Sequence, residues 1–165
     1  MTRSSFQSLA DRLRAVEDEL SIRNLVARFT DAVNERDTDA FRRLWTDDAV
    51  WEIGPPLPAK AEGIDAIANM FARLLEPKIL FIQLTHSGVI TFTGQNAATA
   101  RFTERERGKG LQDYYENLAV YRDQFERGPH GWRFKQRYYE YRYLDTSAFP
   151  GAALGSVASA AKVSL

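Results

Sequence analysis

The chain has 165 residues, of which 44% are apolar and 12% aromatic, and it carries 22 basic and 22 acidic side chains. This length predicts one domain with a substantial core, and the balanced, interspersed charge excludes a field of one sign that would attract nucleic acid or an anionic membrane. The chain has no cysteine and only two histidines, His86 and His130, which excludes disulfides and thiol chemistry and predicts no metal site.

Helical periodicity dominates the first half of the chain. Apolar residues recur at three- and four-residue steps and predict a helix over about residues 6–36 with one buried face. A short helix over 39–45, a strand over 49–53 and a third helix over 63–75 follow. No apolar signal core or membrane-length run is present, so we expect a cytoplasmic protein.

The second half changes to β-branched and aromatic runs separated by glycine-containing turns. These runs predict antiparallel strands over residues 79–92, 97–107, 112–127 and 132–144. Helices first and strands last are typical of the α+β class. We therefore predict a single α+β domain over residues 1–145. The Ala/Gly/Ser-rich tail, residues 146–165, is expected to be frayed or packed on another surface.

An ordered series of short segments resembles the SnoaL-like family of the nuclear-transport-factor-2-like superfamily over about residues 15–145. The segments are Arg23–Phe29, Ala32–Asp37, Phe41, Leu44-Trp45, Asp48–Trp51, Gly63–Ile67, Thr85-His86 and Gly131–Phe134. The resemblance implies a cone-shaped α+β barrel, in which a strongly bent mixed or antiparallel sheet wraps around the long N-terminal helix. It also implies a deep pocket for a small hydrophobic ligand and a homo-oligomer, either a dimer or a trimer.

Two members of this family, scytalone dehydratase and hexachlorocyclohexane dehydrochlorinase, are similar in pattern and perform eliminations without a cofactor. The segment Ala148–Gly155 resembles the C-terminal segment of the dehydrochlorinase, which packs across a subunit boundary. The resemblance therefore implies no cofactor here, and a tail that contacts a neighbouring subunit.

His86 is the first catalytic candidate, because it matches the base histidine of those enzymes and an imidazole exchanges protons near neutral pH. The alternative is a histidine hydrogen-bonded in the core. Asn34 matches the aspartate that orients this base; an amide can fix the tautomer but supplies no negative charge. Asp31 lies on a neighbouring part of the helix and could supply that charge, or it could be a solvated carboxylate.

Strand alternation nominates the residues that line the pocket. Tyr115, Asn117 and Tyr121 share one strand face, which the resemblance places inward, and could bind a substrate oxygen. Phe102, Glu104 and Glu106 share a face of the preceding strand. Glu104 is a possible base with a raised pKa if it is buried, whereas the local charge run is typical of a solvated edge. The expected wall residues are Phe29, Val33, Trp51 and Phe71.

Two functions follow. The first is a cofactor-free lyase or isomerase, dehydratase-like, which acts on a small hydrophobic, oxygenated molecule through proton abstraction by His86. The second is a non-catalytic binding or assembly subunit, like the small subunit of ring-hydroxylating dioxygenases, which the Asn34 replacement favours. An epoxide hydrolase ranks below both, because alternation places Arg105 opposite Glu104 and Glu106.

Overall fold

The computed structural model describes residues 8–151 and confirms the α+β class. The elements are α1 (Leu9–Glu35), α2 (Thr38–Arg42), β1 (Trp45–Ile53), β2 (Ala59–Glu62), α3 (Ile64–Leu75), β3 (Leu80–Phe92), β4 (Ala97–Lys109), β5 (Tyr114–Gly128) and β6 (Gly131–Asp145). The short strand β2 was not predicted from the sequence. β1 begins at Trp45, inside the predicted second helix, because Trp45 pairs with Phe134 of β6 and packs against the central aromatic residues.

All six strands form one mixed sheet in the order β2-β1-β6-β5-β4-β3. β1 and β6 run parallel and the other neighbours run antiparallel. β2 and β3 are edge strands, so the sheet does not close into a complete barrel. Register shifts in β3 and in the β5–β6 pair add local bends to the strands.

The core lies between α1 and the face of the sheet that packs against it. The second half of α1 contributes the buried residues Ile22, Leu25, Val26, Phe29, Ala32 and Val33. Phe29 lies at the centre, with its ring centroid 5.3 to 6.2 Å from those of five other aromatic residues on α2, β1, β5 and β6. This aromatic cluster forms one end of the cavity described below.

The first half of α1 differs from the sequence prediction. Leu9, Leu13, Val16 and Leu20 were expected to share the buried face, but all four are exposed. Each α-helical residue advances about 100° around the axis, so these four lie on the side opposite to the set that begins at Ile22. A single helix cannot bury two opposite faces against the same domain. No helix within residues 8–151 combines the length and apolar character that a membrane span requires.

Candidate active site

A cavity of about 340 Å³ opens between α1, α3 and the sheet. Aromatic and aliphatic side chains form most of its wall, including Phe29, Val33, Trp51, Phe71, Phe81 and Tyr121. A largely apolar cavity of a few hundred cubic ångströms that contains a few convergent polar groups is typical of small-molecule sites. The chemistry of this cavity therefore depends on which polar groups reach it.

Glu106, on β4, is a carboxyl group within this wall. It accepts a 2.8 Å hydrogen bond from the Tyr115 hydroxyl and another of 2.8 Å from the Gln83 side-chain amide. Burial raises the pKa of Glu106 above its ordinary value. The hydrogen bonds from Tyr115 and Gln83 lower that pKa, but the desolvation is the larger influence.

Gly108 explains how Tyr115 reaches Glu106. The two residues are directly paired across β4 and β5. A Cβ atom at position 108 would lie within 2.7 Å of three atoms of the Tyr115 side chain, so any larger residue would displace the phenol. The glycine lets the Tyr115 ring lie across β4, where its hydroxyl meets the carboxylate two residues earlier.

Further phenol groups surround the carboxyl. The Tyr139 hydroxyl donates a 2.5 Å hydrogen bond to Oδ1 of Asn117, which is fully buried. Burial raises the pKa of Tyr115, Tyr121 and Tyr139 well above the usual phenol range, and raises that of Tyr141 to about 12. These phenols stay protonated at neutral pH and act as hydrogen-bond donors rather than bases.

The cavity lining also includes an ion pair, between Lys78 and Asp113, and the ammonium of Lys78 lies 5.2 Å from the Tyr115 ring centroid. Phe149 packs on Tyr114 with a centroid distance of 5.4 Å. The first residues of the predicted tail thus lie beside the cavity. Residues 152–165, and with them the rest of the predicted subunit-contacting segment, fall outside the described part of the chain.

Glu104 lies on the same face of β4 but does not line the cavity. It is fully buried and accepts a 2.7 Å hydrogen bond from the Thr85 hydroxyl, while its other carboxyl oxygen has no partner among the described residues. Burial raises the pKa of Glu104 to about 8, although Arg137 and the Thr85 hydrogen bond oppose the shift. Glu104 is thus buried rather than part of a solvated edge, and it does not line the cavity.

A buried ion pair lies close to Glu104. The Arg137 guanidinium donates hydrogen bonds of 2.8 and 3.2 Å to Asp123, and both side chains are fully buried. The guanidinium also lies 3.6 Å from the Tyr121 ring centroid and 4.0 Å from that of Phe29. Arg137 thus forms its ion pair with Asp123 rather than with Glu104; it lowers the pKa of Glu104, but desolvation outweighs that influence.

The structure does not bring His86 into the cavity. His86 is exposed and borders a separate shallow groove between α1 and β3. Along β3, Gln83 and Thr85 point toward the core while Leu84 and His86 point away from it, as the alternation of exposure shows. Gln83 therefore takes the place in the cavity that the sequence prediction gave to His86.

Asn34 does not orient an imidazole. Its amide nitrogen donates a 2.9 Å hydrogen bond to the Gln83 carbonyl, and its oxygen accepts a 2.8 Å bond from the Gln83 backbone N–H. The side chain thus imitates a neighbouring strand and covers the free edge of β3 at that point. Asp31 is exposed and lies away from the cavity.

The sequence profile of the SnoaL-like domain matches residues 14–138. The chain belongs to the SnoaL-like family. No curated protein sequence matches it significantly. Among solved structures, a hexachlorocyclohexane dehydrochlorinase from Novosphingobium barchaimii is 16% identical with a TM-score of 0.78, and the match covers 87% of this chain and 99% of that one.

Two structures from Novosphingobium aromaticivorans extend the comparison. A candidate scytalone dehydratase is 13% identical with a TM-score of 0.73, and the match covers 84% of this chain and 93% of that one. A nuclear-transport-factor-2-like protein with a cystatin-like fold is 25% identical with a TM-score of 0.71, covering 99% and 100%. These structural similarities confirm the predicted fold.

Only some of the other predicted site residues of this SnoaL-like domain lie in the cavity. The predicted residues that line the cavity are Phe29, Val33, Trp51, Phe71, Tyr115 and Tyr121. Asn117 is buried beside it, and Phe102 borders the groove near His86 instead.

Sequence reasoning missed Gln83, Tyr139 and the importance of Glu106. Alternation along β4 does place Glu106 inward, and that was the available signal for it. Within residues 8–151, no three acidic or histidine side chains are arranged to hold a metal ion.

Proposed function

We propose that this chain is a cofactor-free enzyme of the lyase or isomerase type, which binds a small hydrophobic, oxygenated molecule in the aromatic cavity and moves a proton with Glu106. One observation carries the proposal. Glu106 is a carboxyl in the cavity wall, and its hydrogen bonds come from neutral donors, a phenol and an amide, rather than from a cation.

The raised pKa of Glu106 suits proton transfer. A carboxylate that is more basic than an ordinary glutamate accepts a proton from carbon more readily, and its protonated form can return that proton. In an elimination, the C–H electron pair would form a double bond while a leaving group departs from the adjacent carbon. In an isomerisation, the same proton would return at another carbon.

The phenols would supply the second part of the mechanism. The hydroxyls of Tyr115 and Tyr139 already donate to Glu106 and Asn117, whereas the Tyr141 hydroxyl, which burial keeps protonated, can donate a hydrogen bond to a substrate oxygen on which negative charge develops. The apolar wall would exclude water and orient a flat or cyclic molecule. The names of the dehydrochlorinase and the candidate dehydratase both denote eliminations, which supports this reaction class.

The test uses a panel of bicyclic ketones headed by β-tetralone, whose α-protons are acidic. Proton NMR in deuterated buffer measures how fast these protons exchange, which reports a cavity base without knowledge of the natural substrate. We expect the wild type to accelerate exchange and Glu106→Gln to lower that acceleration at least about a hundredfold. Glu126→Gln, an exposed change on β5, is the matched control.

Comparison with His86→Ala separates this proposal from the sequence prediction. Loss of exchange in His86→Ala with activity retained in Glu106→Gln would reject Glu106 as the base. Binding of the ketones, followed through the fluorescence of Trp51 and the other tryptophans, without any exchange would favour the second candidate, a ligand-binding or assembly subunit. The position of His86 outside the cavity and the structural use of Asn34 are the observations that favour this second candidate.

A further inference from the structure

The first three turns of α1 carry an apolar surface that the body of the domain does not cover. We call this surface the N-terminal stripe. Its members and their exposed fractions are Leu9 (79%), Leu13 (56%), Val16 (64%) and Leu20 (56%). Their spacing of four, three and four residues is that of the a and d positions of a coiled coil.

The N-terminal stripe cannot turn inward without breaking other contacts. Asp18 accepts a 3.0 Å hydrogen bond from the Trp132 indole and a 2.6 Å bond from Arg127, which fixes that side of α1 on the β5–β6 hairpin. At about 100° per residue, Asp18 lies on the side of the helix opposite to Val16 and Leu20. The anchoring contacts therefore point the stripe away from the domain.

The exposed turns of α1 are nevertheless stabilised in the helical conformation. Ser8 and Asp11 form a reciprocal capping box at the first turn. From Ile22 onward one face of α1 is buried in the core, so the exposed part continues a helix that is already nucleated. A partner would meet a rigid surface about 18 Å long, at about 1.5 Å per residue, and would pay little ordering entropy.

The charges beside the stripe match those of a second copy. With Leu13 and Leu20 at a positions, Arg12 occupies a g position and Glu17 the following e position, and these positions meet across a parallel pair. Neither side chain forms a salt bridge within residues 8–151. In an antiparallel pair Arg12 would instead face Glu19, which already binds Arg23 of its own helix at 2.7 Å.

We propose that the N-terminal stripe is a dimer interface, in which α1 of one copy pairs in parallel and in register with α1 of a second copy. The stripes would form the apolar seam, and Arg12 of each copy would face Glu17 of the other. Two heptads bury less area than a standard stable interface, so the dimer should dissociate on dilution.

Analytical ultracentrifugation over a dilution series from millimolar to micromolar protein tests the proposal. The double variant Leu13→Glu/Val16→Glu should raise the dimer dissociation constant at least about tenfold, because it places charges in the seam. At micromolar protein, where the dimer is dissociated, the melting temperature should not change, since both residues are exposed in the monomer. Leu111→Glu, in the exposed β4–β5 loop, is the matched control and should leave the dissociation constant unchanged.

A charge exchange tests the orientation independently. Arg12→Glu and Glu17→Arg should each weaken the parallel dimer by roughly twofold to tenfold, and their combination should restore it. In an antiparallel pair Glu17→Arg alone would have little effect, and the combination would not rescue Arg12→Glu. A wild type that is monomeric at every concentration, as when the remainder of its own chain covers the stripe, or an oligomer that is indifferent to Leu13→Glu/Val16→Glu, would overturn the proposal.

Discussion

Glu104 and Glu106 lie two residues apart on the same face of β4, yet they occupy different regions of the molecule. Glu106 faces the cavity among neutral donors. Glu104 is enclosed between Thr85 and the Arg137–Asp123 pair, without access to the cavity. Burial raises the pKa of both carboxyls.

This difference separates two consequences of a raised pKa. A perturbed carboxyl is a catalytic candidate only where a substrate can reach it, as at Glu106. At Glu104 the same perturbation affects the stability of the fold and its dependence on pH. The four predictions that follow test this division, beginning with the largest expected effect.

Removing the cation beside Glu104 should have the largest effect. Arg137→Met leaves Asp123 buried without its partner, and we expect the free energy of unfolding to fall by about 3–5 kcal/mol. Chemical denaturation measures the change. Asp123→Asn should cost less, because Glu104 can ionise and take over as the partner of Arg137. Equal losses in the two variants would show that Glu104 does not interact with Arg137.

The stability of the fold should depend on pH through Glu104. The folded chain holds the Glu104 proton up to a pKa of about 8, whereas the unfolded chain releases it near 4.5. Stability is therefore lost as the pH rises through that window, by a few kcal/mol at about 1.4 kcal/mol per pKa unit. Glu104→Gln should remove this loss. The free energy of unfolding of the variant should therefore rise relative to that of the wild type between pH 5 and about pH 8.

Urea denaturation at several pH values gives this comparison. Glu106→Gln should also reduce the loss, since the pKa of Glu106 is raised in the folded state, but it should abolish proton exchange in the ketone assay as well. If the difference in unfolding free energy between Glu104→Gln and the wild type does not change with pH, the titration of Glu104 is not the cause of the pH dependence.

Loss of the contact between Asn34 and Gln83 at the edge of β3 should have an intermediate effect on the free energy of unfolding. Asn34→Ala removes both hydrogen bonds to the Gln83 backbone, and we expect a loss of about 1–3 kcal/mol. Because Gln83 hydrogen-bonds Glu106, this variant should also disturb Glu106 in the cavity wall. It should leave Glu104 unaffected. Asn24→Ala, an exposed change on the same helix, is the control and should stay within about 0.5 kcal/mol of wild type in thermal unfolding.

His86→Ala should have the smallest effect. The side chain is exposed and outside the cavity, so stability should change by less than about 0.5 kcal/mol and ketone binding should be unchanged. Isothermal titration calorimetry and thermal unfolding measure the two quantities. A large loss of ketone binding would mean that the ketone contacts His86 outside the aromatic cavity.

Local patterns of the sequence were sufficient for much of the fold. Helical spacing located α1 and α3, and period-two alternation grouped the residues that share a face of β4 and of β5, because both depend only on the geometry of a single element. The pattern could not show that the two apolar sets of α1 face opposite ways with only one set covered, since coverage depends on the rest of the domain.

The sequence by itself determined the α+β class, the family and the aromatic character of the pocket. Only the tertiary structure decided which polar groups meet inside it. Gln83 rather than His86 reaches Glu106, because the strand that carries both residues is an edge strand whose orientation is set by its pairing with β4 and by Asn34 on α1. These contacts join residues 20 to 50 positions apart, and no local period encodes them.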